Sequence, residues 1–273
     1  MYLSKDALIK NIIINAGRRK CFIFDLDGTI IFKDQPLSEE NDKLLRLIQD
    51  AGHEVVFASG RPYRDFKILM PQWTHDCLLV LFGGALSIQQ GQILQSSSIS
   101  KVASEKLVNF CLEQNHPFII DDSENYYHPG HGHTFYPYID SIMGKFRETN
   151  LEKMLDGGIF KIFILDDKLL DIFIHKINEH DLNFKLHSKY DSFDILPGGV
   201  NKYNGLQPFI KYDVNDIFIF GDDLNDYELF TNFKNTILLG EHPELIPLAS
   251  LVIPENEAQQ ANFSTLINTI ISN

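Results

Sequence analysis

Five aspartates fall in two short segments, Asp25-Leu26-Asp27-Gly28 and Asp222-Asp223-Leu224-Asn225-Asp226, and each segment follows a run of apolar residues. Carboxylates gathered in one place repel one another unless protonated or paired with a cation. A hard divalent ion resolves that repulsion. Magnesium takes oxygen ligands and commonly uses one or two carboxylates, with waters and a bound phosphate completing its shell. Two further apolar runs end in polar or glycine-rich turns, at Ser59-Gly60 and at Gly83-Gly84. The competing explanation is plain turn chemistry, because Asp-Gly is a common turn former. A single such dipeptide leaves the two readings even. Two acidic turns at two strand ends favour the metal.

Elements must bring those turns together. Cys21 to Phe24 is too short for a helix and reads as a buried strand, as do Glu54 to Ala58, Leu78 to Phe82 and Ile217 to Phe220. Thr236 to Leu239 and Leu251 to Ile253 are further short runs. Ser38 to Ala51 predicts a helix, with Ser38 as cap, Glu39 and Glu40 in its first turn and Gly52 at its end. Residues 63 to 70 predict a short helix, and residues 3 to 16 an amphipathic one with Ser4 as its cap. Strands alternating with helices predict a doubly wound parallel sheet, a Rossmann-like α/β core. In such sheets ligands bind beyond the carboxyl ends of the strands, which would place all four turns on one edge.

The middle of the chain has another texture. Two strand-like pieces flank Gln90-Gly91 within 86–99, a helix is expected over 101–114, and strands over 117–120, 126–128, 159–165, 184–188 and 192–196, with a helix over 168–180. This predicts an α+β unit inserted into the core: core over 1–85, insertion over 86–195, core again over 196–273.

The chain has 273 residues, 44% hydrophobic and 22% charged, as an ordinary globular protein has. Its net charge of −13 disfavours nonspecific nucleic-acid and anionic-membrane binding, so neither partner is expected. A bound cation would still allow an anionic substrate. Cys21, Cys77 and Cys111 are odd in number and widely spaced, which suits reduced thiols and a cytoplasmic location. No signal peptide and no membrane-spanning segment are expected, and the protein is expected to be a monomer or homodimer.

Phe24-Asp25-Leu26-Asp27-Gly28-Thr29 resembles the first motif of the haloacid dehalogenase superfamily of phosphohydrolases. Val55 to Arg61 resembles its second motif, Lys202 within Pro197 to Lys202 its third, and Gly221 to Asp226 its fourth. The insertion between the second and third motifs is similar to the C2-type cap of the Cof-type subfamily IIB. The resemblance spans most of the chain from Lys20 onward and implies a set of roles. Asp25 would attack phosphorus and form an aspartyl phosphate. Asp27 would serve as general acid and base, and an extended backbone would put it on the same face as Asp25. Lys202 would neutralise the phosphoryl group and the nucleophile. Leu26, Ser59, Gly60, Lys202 and Asn225 would contact the phosphate. Asp25, Asp222 and the backbone carbonyl of Asp27 would hold Mg2+, with Asn225 and Asp226 completing the shell through water or orienting Lys202. Asp223 would stand aside.

Departures exist. Gly83-Gly84-Ala85 replaces the subfamily's Asn-Gly-Ala, Tyr203 follows Lys202 where glycine is frequent, and Ser59 stands where threonine is frequent. The cap would choose the leaving group. Asp121 to His128, polar and aromatic, is a candidate sugar-binding segment or an ordinary acidic loop, and the patch His128, His131, His133 a candidate substrate-facing loop. Arg61, Arg64 and Arg147 are candidates for a second anionic group or for surface ion pairs. Three functions fit: a phosphatase of small phosphomonoesters such as sugar phosphates, a phosphomutase, and a non-catalytic regulatory protein.

Overall fold

The computed structural model describes residues 8, 10, 12, 15–33, 35–187, 191–255 and 259–273. In chain order, strand β1 (Cys21–Phe24) is followed by helix α1 (Glu39–Asp50), β2 (Glu54–Ala58), α2 (Tyr63–Leu69), β3 (Leu78–Leu81), and the hairpin β4 (Leu86–Gln89) and β5 (Gln92–Ser96). Next come α3 (Lys101–Gln114), β6 (Phe118–Asp121), β7 (Tyr126–Tyr127), α4 (Phe135–Met143), α5 (Leu151–Gly157), β8 (Lys161–Ile164), α6 (Leu170–Glu179), β9 (Leu182–Leu186) and β10 (Phe193–Pro197). The chain closes with α7 (Lys202–Leu206), β11 (Ile217–Gly221), α8 (Tyr227–Asn232), β12 (Asn235–Leu239), β13 (Leu251–Ile253) and α9 (Gln259–Ile271).

Two sheets form. The larger runs β13-β12-β11-β1-β2-β3-β4-β5, parallel from β13 to β3. Strand β1 is central, with Phe24 opposite Phe57 on one side and Phe220 on the other. Both faces of β1 are buried, as a central parallel strand requires. Phe22 and Phe24 pack on the side of α1 and α9, and Cys21 and Ile23 on the side of α7 and α8. The Phe24 and Phe220 rings stack with centroids 4.7 Å apart. Burying such a ring contributes about 1.5–3 kcal/mol. Helix α1 begins where its cap dictates: Ser38 accepts a hydrogen bond from the Asn41 amide. The chain crosses from β1 to β2 on one side, and after the insertion β11 takes the other. Strand β1 therefore lies at a topological switch point, where α/β sheets open a crevice.

The smaller sheet, β7-β6-β8-β10-β9, is antiparallel throughout. Its Phe118, Ile120, Ile162, Ile164, Phe193 and Ile195 pack under α3, α5 and α6. The boundary expected at residue 86 needs correction. Strands β4 and β5 extend the larger sheet, since Leu79 pairs with Ile88 and Leu81 with Leu86. Alternation around Gln90-Gly91 marks a hairpin but carries no information about which sheet edge it joins. The helix expected over 3–16, with its Ser4 cap, lies mostly outside the described residues; within it Leu8 and Ile12 are buried in the core. No helix among the described residues is long and apolar enough to cross a membrane.

Candidate active site

Parallel packing delivers the ends of β1, β2 and β11 to one edge of the larger sheet, and α7 brings Lys202 to meet them. Lys202 is 1% exposed. Its ammonium donates to Asp25 Oδ1, Asn225 Oδ1 and Asp226 Oδ1, each at 2.7 Å, so all three of its protons are used. Burial alone would depress a lysine pKa, but Asp226 and Asp25 outweigh it and hold the Lys202 ammonium charged. Asp226 also accepts the Asp222 amide through Oδ2. It positions Lys202, one of the two roles expected of it.

Asp25 is buried, and burial raises its carboxyl well above the usual carboxylate range; Lys202 opposes that rise, while Asp226, Asp222 and Asp27 add to it. Asp25 Oδ2 is buried and accepts no hydrogen bond among the described residues. Carboxylate oxygens of Asp25, Asp222 and Asp226 all lie within 4.8 Å of one another. Three carboxylates against one lysine leave two negative charges in surplus, the complement of a divalent cation. Because both Asp226 oxygens are already taken, Asp25 and Asp222 are the candidate side-chain ligands. An all-oxygen set with an unbonded buried oxygen fits Mg2+.

Gly28 completes this corner. Its φ is +80°, in the left-handed region open to glycine, and a Cβ there would overlap the Asp222 carboxylate. Gly84 does the same for Lys202. Its φ is +110°, and a Cβ would overlap the backbone of Asn201. Gly84, which the subfamily pattern shares, thus gives α7 its close seat; the departure is at Gly83, where a Cβ would meet only Leu196 Cδ1 at 3.4 Å.

The remaining expected residues divide. Ser59 is buried, and its hydroxyl oxygen accepts the Arg61 amide, which keeps its O–H as a donor. Gly60 lies beside it, with open space where a side chain would be. The Leu26 side chain is in the core, and its carbonyl accepts from the amides of Thr29, Ile30 and Ile31, which closes the turn. Asn225 contributes its carbonyl to Lys202. The Asp27 carboxylate is half exposed and lies outside the group of three. Arg61 grips it with two hydrogen bonds of 2.7 and 2.6 Å. Asp223 caps the turn to α8 by accepting the Leu224 amide.

Arg61 was a candidate for an ion pair, but its pairing with Asp27 was not foreseen. It belongs to the Ser-Gly-Arg turn, and β2 lying next to β1 could have pointed to it. The other arginines are also committed. Arg64 is buried, not a surface residue, and bonds Asp121 Oδ1 at 2.5 Å and the Asn125 carbonyl at 3.0 Å. Arg147 pairs with Asp140 at 2.6 Å. Within the histidine patch His131 is exposed and His133 half-buried, but His128 is turned inward. His128 is buried, stacked on Tyr136 at 4.2 Å and bonded through Nε2 to Asp140. The polar segment before it is likewise occupied: Asp122 accepts the amides of Glu124 and Asn125, and the Tyr126 hydroxyl bonds Asp140.

The model of haloacid dehalogenase-like hydrolases matches residues 22–261. YkrA of Bacillus subtilis is 25% identical over 247 residues, covering 85% of this chain and 91% of its own. The 5-amino-6-(5-phospho-D-ribitylamino)uracil phosphatase YwtE of the same organism is 22% identical, covering 77% and 84%. Among solved structures, a haloacid dehalogenase-like hydrolase from Bacteroides thetaiotaomicron superposes with a TM-score of 0.78 at 16% identity, over 93% of this chain and all of its own. The chain belongs to the haloacid dehalogenase-like hydrolases.

Proposed function

We propose that the protein is a magnesium-dependent, cytoplasmic phosphatase of small phosphomonoesters, sugar phosphates among them, working through a phosphorylated Asp25. The observation that carries this reading is the group of Asp25, Asp222 and Asp226, whose carboxylate oxygens lie within 4.8 Å of one another, with Lys202 bonded to Asp25 and Asp226. It holds one nucleophilic oxygen without a hydrogen bond and a negative surplus suited to one divalent ion.

One carboxylate oxygen of Asp25 attacks phosphorus, the P–O bond to the leaving group breaks, and Asp27 gives the departing oxygen its proton. Asp27 then takes a proton from water as that water attacks the phosphoryl group, and inorganic phosphate leaves with Asp25 restored. Lys202 stabilises charge on the transferring group, and the Ser59 hydroxyl and Gly60 amide bond its oxygens. Arg61 is placed to exchange Asp27 for the substrate phosphate, which releases the Asp27 carboxyl for proton transfer. Asp25, Asp222 and the Asp27 carbonyl would hold magnesium, which would supply further charge neutralisation for the phosphoryl oxygens.

Release of inorganic phosphate from a panel of phosphomonoesters, with and without magnesium, tests the reading. Wild type should release phosphate only with the metal, and Asp25→Asn should lose at least 10³-fold, a loss typical of removing a nucleophile (roughly). No release from any ester, with the two proteins indistinguishable, would sink it.

A further inference from the structure

Asp27 is free to act on a leaving group only when Arg61 has let it go. Arg61 spends Nε and Nη2 on Asp27, at 2.7 and 2.6 Å. Its other terminal nitrogen, Nη1, lies 3.8 Å from Asp65 Oδ2, one helical turn along in the first turn of α2. That separation exceeds hydrogen-bond length, and a shift of about 0.8 Å would bring it to the usual 3.0 Å or so. Two carboxylates thus flank one guanidinium, and the structure shows it committed to Asp27.

Asp65 is poorly provided for where it stands. Its side chain is 16% exposed, and its Oδ1 is buried and accepts no hydrogen bond among the described residues. Arg64 Nε comes within 3.2 Å of that oxygen without making a hydrogen bond. The terminal nitrogens of Arg64 are spent on Asp121 and on the Asn125 carbonyl. Burial raises the Asp65 carboxyl above its ordinary value; Arg64, Arg61 and Lys161 pull it back, and Asp121 adds to the rise. A carboxylate taken out of water without hydrogen bonds costs stability. An acid in a first helical turn is favoured by the helix dipole, but that role needs no burial. A second position of Arg61, bonded to Asp65, accounts for it.

We propose that Asp65 is a positioning residue, which draws Arg61 off Asp27 when substrate binds by accepting a hydrogen bond from Nη1. Arg61 then lies between Asp65 and the phosphoryl group, and the Asp27 carboxyl is released toward the leaving oxygen. One charge-assisted contact is exchanged for another, so the release costs little. The assignment rests on the phosphatase reading.

The test is the dependence of kcat/KM on the leaving group, across p-nitrophenyl, phenyl and alkyl phosphates. A nitrophenolate departs with little help from an acid, whereas an alkoxide needs its proton. Asp65→Asn, near-isosteric, should leave p-nitrophenyl phosphate almost unaffected and lower kcat/KM for phenyl and alkyl phosphates by about tenfold or more, the worth of a hydrogen bond to a charged group. Asp65→Ser should steepen the dependence in the same way. In an Arg61→Met background, where Asp27 has no arginine to lose, Asp65→Asn should add nothing. Losses equal across the esters, or equal with and without Arg61, would show a purely structural Asp65 and overturn the proposal while leaving the phosphatase reading intact. A wild type inactive on every ester, p-nitrophenyl phosphate included, overturns both.

Discussion

Lys202→Met removes the ammonium that bonds Asp25 and Asp226 while keeping side-chain length. Three hydrogen bonds of 2.7 Å disappear, and Asp25 and Asp226 are left buried without their counter-ion. Breaking a buried pair by removing one partner costs about 3–5 kcal/mol. At roughly 2–4 °C per kcal/mol for a chain of this size, Tm should fall by about 10 °C near neutral pH. The pH dependence has a definite sign. Burial already holds the carboxyls of Asp25 and Asp226 above their ordinary values, and Lys202 works against it. Without Lys202 both rise further. A raised folded value adds stability below the unfolded value, about 4 for aspartate, and loses it as pH climbs through the folded value. The variant should therefore lie closest to wild type in acid and fall away toward neutral pH. Added magnesium should narrow the gap by replacing the missing charge. Differential scanning calorimetry in chelator, across that range and then with magnesium, measures all three effects. A gap of only a degree or two that ignores both pH and metal would refute the reasoning.

Two further outcomes follow from the joint between the sheets. Arg64→Met leaves Asp65 and Asp121 without their nearest cation at a buried contact, a loss of about 3–5 kcal/mol of docking; small-angle scattering should show a larger radius of gyration and kinetics a higher KM, and no change in either would contradict the docking role. Burial opposes the charge of His187, but Asp194 more than compensates and its pKa is raised. That pair stabilises fully below the unfolded histidine value, about 6.5, and loses its contribution as pH rises through the folded value. Wild-type Tm should thus decline more steeply than that of His187→Gln above that pH, and parallel slopes would count against the pair.

Much of the architecture was legible because short apolar runs broken by aspartate and glycine mark buried strands clearly. Cys21–Phe24, Glu54–Ala58 and Leu251–Ile253 lie where the pattern puts them. Helix α1 was legible from Ser38 and its acidic first turn. Helices α4 and α9 were not, since their many aromatic and β-branched residues weaken the helical signal. His128 looked like part of a polar loop because its neighbours are prolines and glycines; Tyr136 and Asp140, which bury it, belong to helix α4 further along the chain.

The residue types of the site were determined by the sequence alone: Asp25, Asp27, Lys202 and Asp222, in an order shared with a family. Local pattern sufficed because each motif occupies a strand end. Tertiary structure decided what each side chain does. It turned Asp27 to Arg61, closed Lys202 on three acceptors, and made Arg64 a buried joint between the two sheets. These partners lie 23 to 177 positions apart in the chain, and pairing over such separations depends on sheet order and register, which no local pattern encodes.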